Sequence, residues 1–223
     1  LNGATNTGMI LQLQKIRRSC GRLSRKVSQD TPIDRQQCTD AMLYVNVRAI
    51  FKDDQTMLEH TPSLQDSAAP DGVCYGCGSS NPHGLHIKSY WHEDGVHVVA
   101  EHLPDPKYCG WPELVYGGMI AMLVDCHSNW TAMAYHYRME NREVASLPRI
   151  NCVTGNLGIK FIKPTPMGVP LTLRAKVEGE VGRKTRIICE VYAGDVLTAV
   201  GDSIFVRVDT TQLATAAHGR EAG

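Results

Sequence analysis

The chain has 223 residues, 43% of them hydrophobic, enough for one sizeable domain with an extension. Lys+Arg and Asp+Glu both number 23, and the resulting zero net charge argues against nucleic acid as the main partner. No run approaches the roughly 18 consecutive apolar residues of a membrane helix, and eight cysteines scattered along a chain of this length point to a reducing, cytoplasmic compartment rather than a disulfide scaffold.

Residues 1–29 carry six basic residues and no acidic one. The expectation is a disordered basic tail, with an organelle transit peptide as the other reading. "DAMLYVNVRAIF" (40–51) has the apolar content to be ordered but no clear period. "HTPSLQDSAAPDG" (60–72) reads as a linker through its prolines, serines and glycine. Residues 1–69 are therefore expected to be an extension and linker, largely disordered, ahead of a domain over 70–210 and a disordered tail over 211–223.

Within the domain, "LHIKSYWHEDGVHVVAEHL" (85–103) predicts two strands around a Glu-Asp-Gly turn. "PDPKYCGWPEL" (104–114) predicts a loop, and Gly117 to about Tyr137 one long helix. "NCVTGNLGIKFIKPTP" (151–166) predicts a strand closed by prolines. Three further strands follow in 169–181, 183–195 and 196–208, joined by Gly-containing turns that suit an antiparallel meander. One apolar helix among long antiparallel strands implies an α+β domain, a sheet wrapped around that helix.

The first two turns of the helix, Met119 to Val124, have no polar face, so the helix is expected to be enclosed. Asp125 comes next. An unpaired buried carboxylate costs several kcal/mol, so it must be compensated or face a wet cleft. Gly117 and Gly118 open the helix, where bare backbone N–H groups at the positive end of the dipole can hold an oxyanion. A carboxylate near such donors can serve as general base for water or as nucleophile; a tight Gly-Gly turn with Asp125 capping a loop is the other reading.

Tyr116-Gly117-Gly118 with Asp125 nine residues after Tyr116 resembles the His-Gly-Gly-x6-Asp signature of hotdog-fold acyl-CoA thioesterases of the phenylacetate-pathway (PaaI-like) type. "CYGCGSSNPHGL" (74–85) resembles the Cys-aromatic-Gly-Cys-Gly opening of a branch of that group. "VTGNLGIKFIKPTPMG" (153–168) resembles the strand after the central helix. The likeness spans about residues 70–208. It implies a hotdog fold, a homodimer or homotetramer with sites at the subunit interface, an acyl-CoA substrate and no cofactor. It further implies Asp125 as the acid, Gly117 as oxyanion donor and Thr154 as the hydroxyl orienting the carboxylate or water. Tyr116 stands in place of the family's His and, with Gly118, is expected at the substrate. Gly110 stands where the family often has Asn. The alternative is a hotdog protein that binds acyl-CoA or another apolar ligand with little or no catalysis.

Arg183 and Lys184, in the cationic hairpin "EVGRKTR" (180–186), are candidates for the CoA phosphates. Cys74-x-x-Cys77 with His83 and His86 lacks the helix-borne histidines of a zinc site and reads as a compact turn, so no metal is expected. Cys126 and His127 point about 100° apart on a helix, which excludes a Cys–His pair between them and favours packing.

Overall fold

The computed structural model describes residues 62–209. The basic tail, "DAMLYVNVRAIF" and the tail over 211–223 lie outside the described residues. A short helix, α1 (Leu64–Ala68), leads into a hairpin of β1 (Tyr90–Trp91) and β2 (Val98–His102). A 3-10 turn at Pro106–Tyr108 precedes the small hairpin β3 (Cys109–Trp111) and β4 (Leu114–Val115). Helix α2 (Gly117–Met139) follows, then β5 (Asn151–Phe161), β6 (Leu171–Val177), β7 (Lys184–Ala193) and β8 (Val196–Val208).

Six strands form one antiparallel sheet in the order β1-β2-β6-β7-β8-β5. The alternation expected of half-buried strands is explicit in β7, where Thr185, Ile187, Cys189, Val191 and Ala193 point inward while Lys184 and Arg186 face water. These inward residues meet α2, of whose 23 residues fourteen are buried. The domain is thus α+β with the hotdog arrangement, a sheet wrapped on one long helix. The contact is close: Gly201 of β8 lies so near the helix that a Cβ there would stand 2.3 Å from Cγ1 of Val124.

Residues 64–68 depart from the expected linker. Leu64 and Ala68, four apart and thus on one helical face, are buried in the core, and Ser63 caps the turn by accepting from the Asp66 N–H. Five residues are too few for a period to show, and the flanking prolines and glycine carry the stronger local signal. Gln65 extends this anchorage. Its side-chain oxygen accepts from the Ser89 N–H at 2.8 Å, and its amide donates to Ser89 Oγ at 2.9 Å. Ser89 Oγ meets Nδ1 of His127 at 2.9 Å, and Nε2 of His127 reaches the Val98 carbonyl at 3.1 Å. Val98 O can only accept, so Nε2 carries the proton and Nδ1 accepts from Ser89. Burial pushes the His127 ring down to about 4, which keeps it neutral for this role.

Gln65→Ala strands the buried Ser89 N–H. It is expected to cost about 1–3 kcal/mol in denaturant unfolding, against a few tenths for an exposed Gln. A change below about 0.5 kcal/mol would mean that α1 is not part of the cooperative unit.

Candidate active site

Asp125 lies on a stripe of α2 that the sheet does not cover. Gly118, Ala121, Met122, Asp125 and Asn129 are all half-buried, while residues on the opposite side are fully enclosed. The carboxylate is therefore partly open to solvent, and the severe desolvation of a fully buried carboxylate does not arise. Its partner is Thr154, whose Oγ1 donates to Oδ1 of Asp125 at 2.7 Å.

The sheet positions that hydroxyl deliberately. Thr154 pairs with Phe205, a core residue, so both side chains point to the helix side. A bulge at Gly155 then shifts the register, and Asn156 pairs with Ile204. A Cβ on Gly155 would come 2.9 Å from Cγ2 of Val206, so the kink needs a residue without a side chain. One turn along the helix, Asn129 donates to the Cys152 carbonyl at 3.1 Å and ties α2 to the same strand.

The helix begins with two glycines. Tyr116 is the N-cap, with no side-chain capping bond, and its carbonyl accepts from Met119 and Ile120. Gly117 and Gly118, at the first two helical positions, have no intrahelical acceptor for their N–H groups. Both glycines lie against aromatic rings. The Phe161 ring stands 3.3 Å from where a Gly117 Cβ would be, and the Tyr116 ring 2.4 Å from a Gly118 Cβ. Tyr116 thus folds over Gly118 while remaining 57% exposed. Gly110 touches Tyr116 as well: a Cβ there would lie 2.8 Å from the Tyr116 Cα. The two departures from the resemblance are neighbours in space. A groove of about 370 Å³ beside Gly117 is walled by Ile120, Phe161, Ile162 and Pro164.

Asp125 and Thr154 are brought together, and so are Tyr116, Gly117 and Gly118. The two groups are not brought together within one chain. Eight residues at a rise of 1.5 Å separate Asp125 from Gly117 by about 12 Å along the axis, and the Gly117 N–H points away from the acid. Arg183 and Lys184 belong to neither group; Lys184, at the start of β7, faces water. Arg183 lines a cleft of about 470 Å³ at the C-terminal end of α2 with His136, Arg149 and Arg207, and His136 is about 16 Å from Asp125 along the helix. His127 is turned into the core and does not approach Asp125. Phe161 escaped the sequence reading, because a lone aromatic at a strand end carries no signal until the strand is laid against the helix N-terminus.

No family model matches the chain, and no curated protein does. Among solved structures it is similar to a thioesterase superfamily protein from Shewanella loihica, with 33% identity over 59% of this chain and 98% of that one, at a TM-score of 0.46. It is also similar to a Bacillus halodurans protein solved with CoA, with 27% identity over 56% of this chain and 76% of that one, at a TM-score of 0.42. The PaaI protein of the Escherichia coli phenylacetic acid degradation operon shares 16% identity over 56% of this chain and 81% of its own length, at a TM-score of 0.45.

Proposed function

We infer, for a chain that belongs to the thioesterase superfamily, that it hydrolyses an acyl-CoA thioester to the free acid and CoA. The observation that carries this reading is the Thr154–Asp125 hydrogen bond on the stripe of α2 that the sheet leaves uncovered, in a domain whose helix opens with two N–H groups that have no intrahelical acceptor. Asp125 takes a proton from water as the oxygen attacks the thioester carbon. The carbonyl oxygen gains the negative charge and is held by the Gly117 N–H. The intermediate collapses, the C–S bond breaks, and the CoA thiolate recovers the proton from Asp125. Direct attack by the carboxylate to give an anhydride, opened afterwards by water, uses the same two groups. The Bacillus halodurans relative solved with CoA supports CoA as the leaving group. The apolar groove beside Gly117 suits the acyl chain, with Tyr116 and Gly118 at its mouth, and Arg183 and Lys184 are the proposed phosphate contacts. The described cysteines are free thiols, which suits the cytoplasm, and no described helix is long and apolar enough to cross a membrane.

The experiment is a hydrolysis panel of short, long and aromatic acyl-CoAs, read by release of the CoA thiol. Tight acyl-CoA binding with no release from any member would replace this reading with a binding protein of little or no turnover. Tyr116 favours that second reading, since its ring covers Gly118 and its hydroxyl lies 2.8 Å from the position of a Gly118 Cβ.

The 12 Å between Asp125 and Gly117 calls for a second chain: a carbonyl held on the Gly117 N–H of one subunit is attacked by Asp125 of another. β5 offers the contact. It is an eleven-residue edge strand whose outer hydrogen-bonding side has no strand partner among the described residues, and its Leu157 and Phe161 are exposed. Two-fold pairing would bury this edge. Light scattering at micromolar concentration is expected to give a dimer or tetramer, and a monomer with full activity would defeat the shared site.

A further inference from the structure

A cluster of three thiols lies beside the proposed acid and takes no part in the chemistry above. Cys74 and Cys77 come from the turn that follows α1. Cys126 comes from α2, directly after Asp125. Their sulfurs all lie within 4.8 Å of one another, and Cys74 and Cys126 are 3.8 Å apart. Tetrahedral thiolates at about 2.3 Å from a zinc ion stand about 3.8 Å from each other, so this pair already has the spacing of two ligands. Cys77 and Cys126 are buried, while Cys74 reaches solvent.

The turn is shaped around its sulfurs. Gly78 donates to the Cys74 carbonyl at 2.8 Å, and a Cβ on Gly78 would fall 2.4 Å from the Cys74 nitrogen, so only glycine closes the Cys-x-x-Cys-Gly turn. Gly76 is pressed onto Cys126, where a Cβ would stand 2.3 Å from Sγ. Nε1 of Trp130, one turn beyond Cys126 on α2, donates to Sγ of Cys77 at 3.2 Å, an outer contact of the kind that steadies a metal-bound thiolate. His83 and His86 are not in the cluster.

We propose that Cys74, Cys77 and Cys126 bind one Zn²⁺ as three thiolates, with water in the fourth position on the exposed Cys74 side. The ion releases the thiol protons on binding and fastens the turn over 74–78 to α2 at the residue next to Asp125. Its role is positional: it fixes the rotation of α2 about its axis at the acid and does not touch the thioester. A turn-borne pair completed by a helix-borne third ligand is invisible to a spacing motif, which is why the sequence reads as a compact turn.

The full chain, purified reduced and without chelator, is dialysed against a slight excess of Zn²⁺ and then against metal-free buffer. About one zinc per chain is expected by elemental analysis, falling below about a tenth in Cys74→Ser and staying near one in Cys109→Ser, an exposed cysteine outside the cluster. Co²⁺ in place of zinc is expected to give sulfur-to-metal absorption in the near ultraviolet with intense tetrahedral d–d bands, lost in Cys74→Ser. Cys74 is on the surface, so that variant keeps the far-ultraviolet circular dichroism of the parent. If Cys126→Ser misfolds, alkylation of the wild type still decides. Zn²⁺ is expected to shield all three thiols from iodoacetamide in peptide mapping, with Cys109 unprotected. Absence of retained zinc together with a Co²⁺ spectrum of octahedral type, or alkylation of Cys74, Cys77 and Cys126 at rates unchanged by Zn²⁺, overturns the site. None of these readouts depends on thioester hydrolysis.

Discussion

Asp125→Asn is expected to lower kcat by about 10²–10⁴-fold while leaving KM within a few-fold. The replacement has nearly the same volume and removes only the charge and the basicity. The half-buried carboxylate accepts from Thr154, and an Asn oxygen can accept the same bond, so the fold has little reason to change. A neutral amide neither takes a proton from water nor attacks a thioester, so either route loses its essential group. The loss corresponds to about 3–5 kcal/mol of barrier. Thr154→Val separates orientation from basicity: the carboxylate remains but loses its one hydroxyl partner, and about a tenfold loss is expected from one neutral hydrogen bond. Measurement of kcat and KM for both variants on the best substrate of the panel decides the matter. Turnover by the Asn variant within tenfold of wild type would remove Asp125 from the chemistry.

Gly201→Ala is expected to destabilise the domain by about 1–3 kcal/mol, more than an ordinary Gly→Ala change in a strand, which adds β propensity. The new methyl would fall 2.3 Å from Cγ1 of Val124, a fully buried side chain, and 3.6 Å from Cβ of Cys189. Neither neighbour has room to withdraw, so α2 must rise off the sheet one residue before Asp125. Val124→Ala alone leaves a cavity and also destabilises. In the double variant the inserted methyl and the removed ones offset each other, so its loss in urea unfolding is expected to be smaller than the sum of the singles. Additive losses would show that the two residues do not share the contact.

The fold was readable because its signals are long. The helix carries more than six turns of apolar sequence and begins where a Gly-Gly pair follows a strand. β6 and β7 alternate in burial, and β6, β7 and β8 are separated by glycine turns. The part that failed to show was α1, where burial is decided by Gln65 and Ser89 meeting across 24 residues. The candidate site residues can be named from the sequence, while their arrangement cannot. Asp125 stood out as a carboxylate in an apolar run, and Thr154 could be placed through its strand. That Asp125 is half open to solvent depends on which helix stripe the sheet leaves uncovered, and hydropathy does not record it. The thiol cluster shows the same limit: Cys126 looked like filling, and its companions looked like a turn.

The bulge at Gly155 has a consequence for how this protein can change over generations. Before the kink, β5 turns Thr154 toward the acid; after it, the register against Ser203, Gly201 and Ala199 turns Leu157, Ile159 and Phe161 to the same side. An uninterrupted strand would bind both sets to one alternation, and any slip that resized the groove at Phe161 would swing the hydroxyl away from the carboxylate. The extra residue decouples them. On the proposed reaction, selectivity can drift through substitutions beyond residue 156 while the Thr154–Asp125 pair is inherited intact, so descendants of this chain can change the groove without first losing the pair.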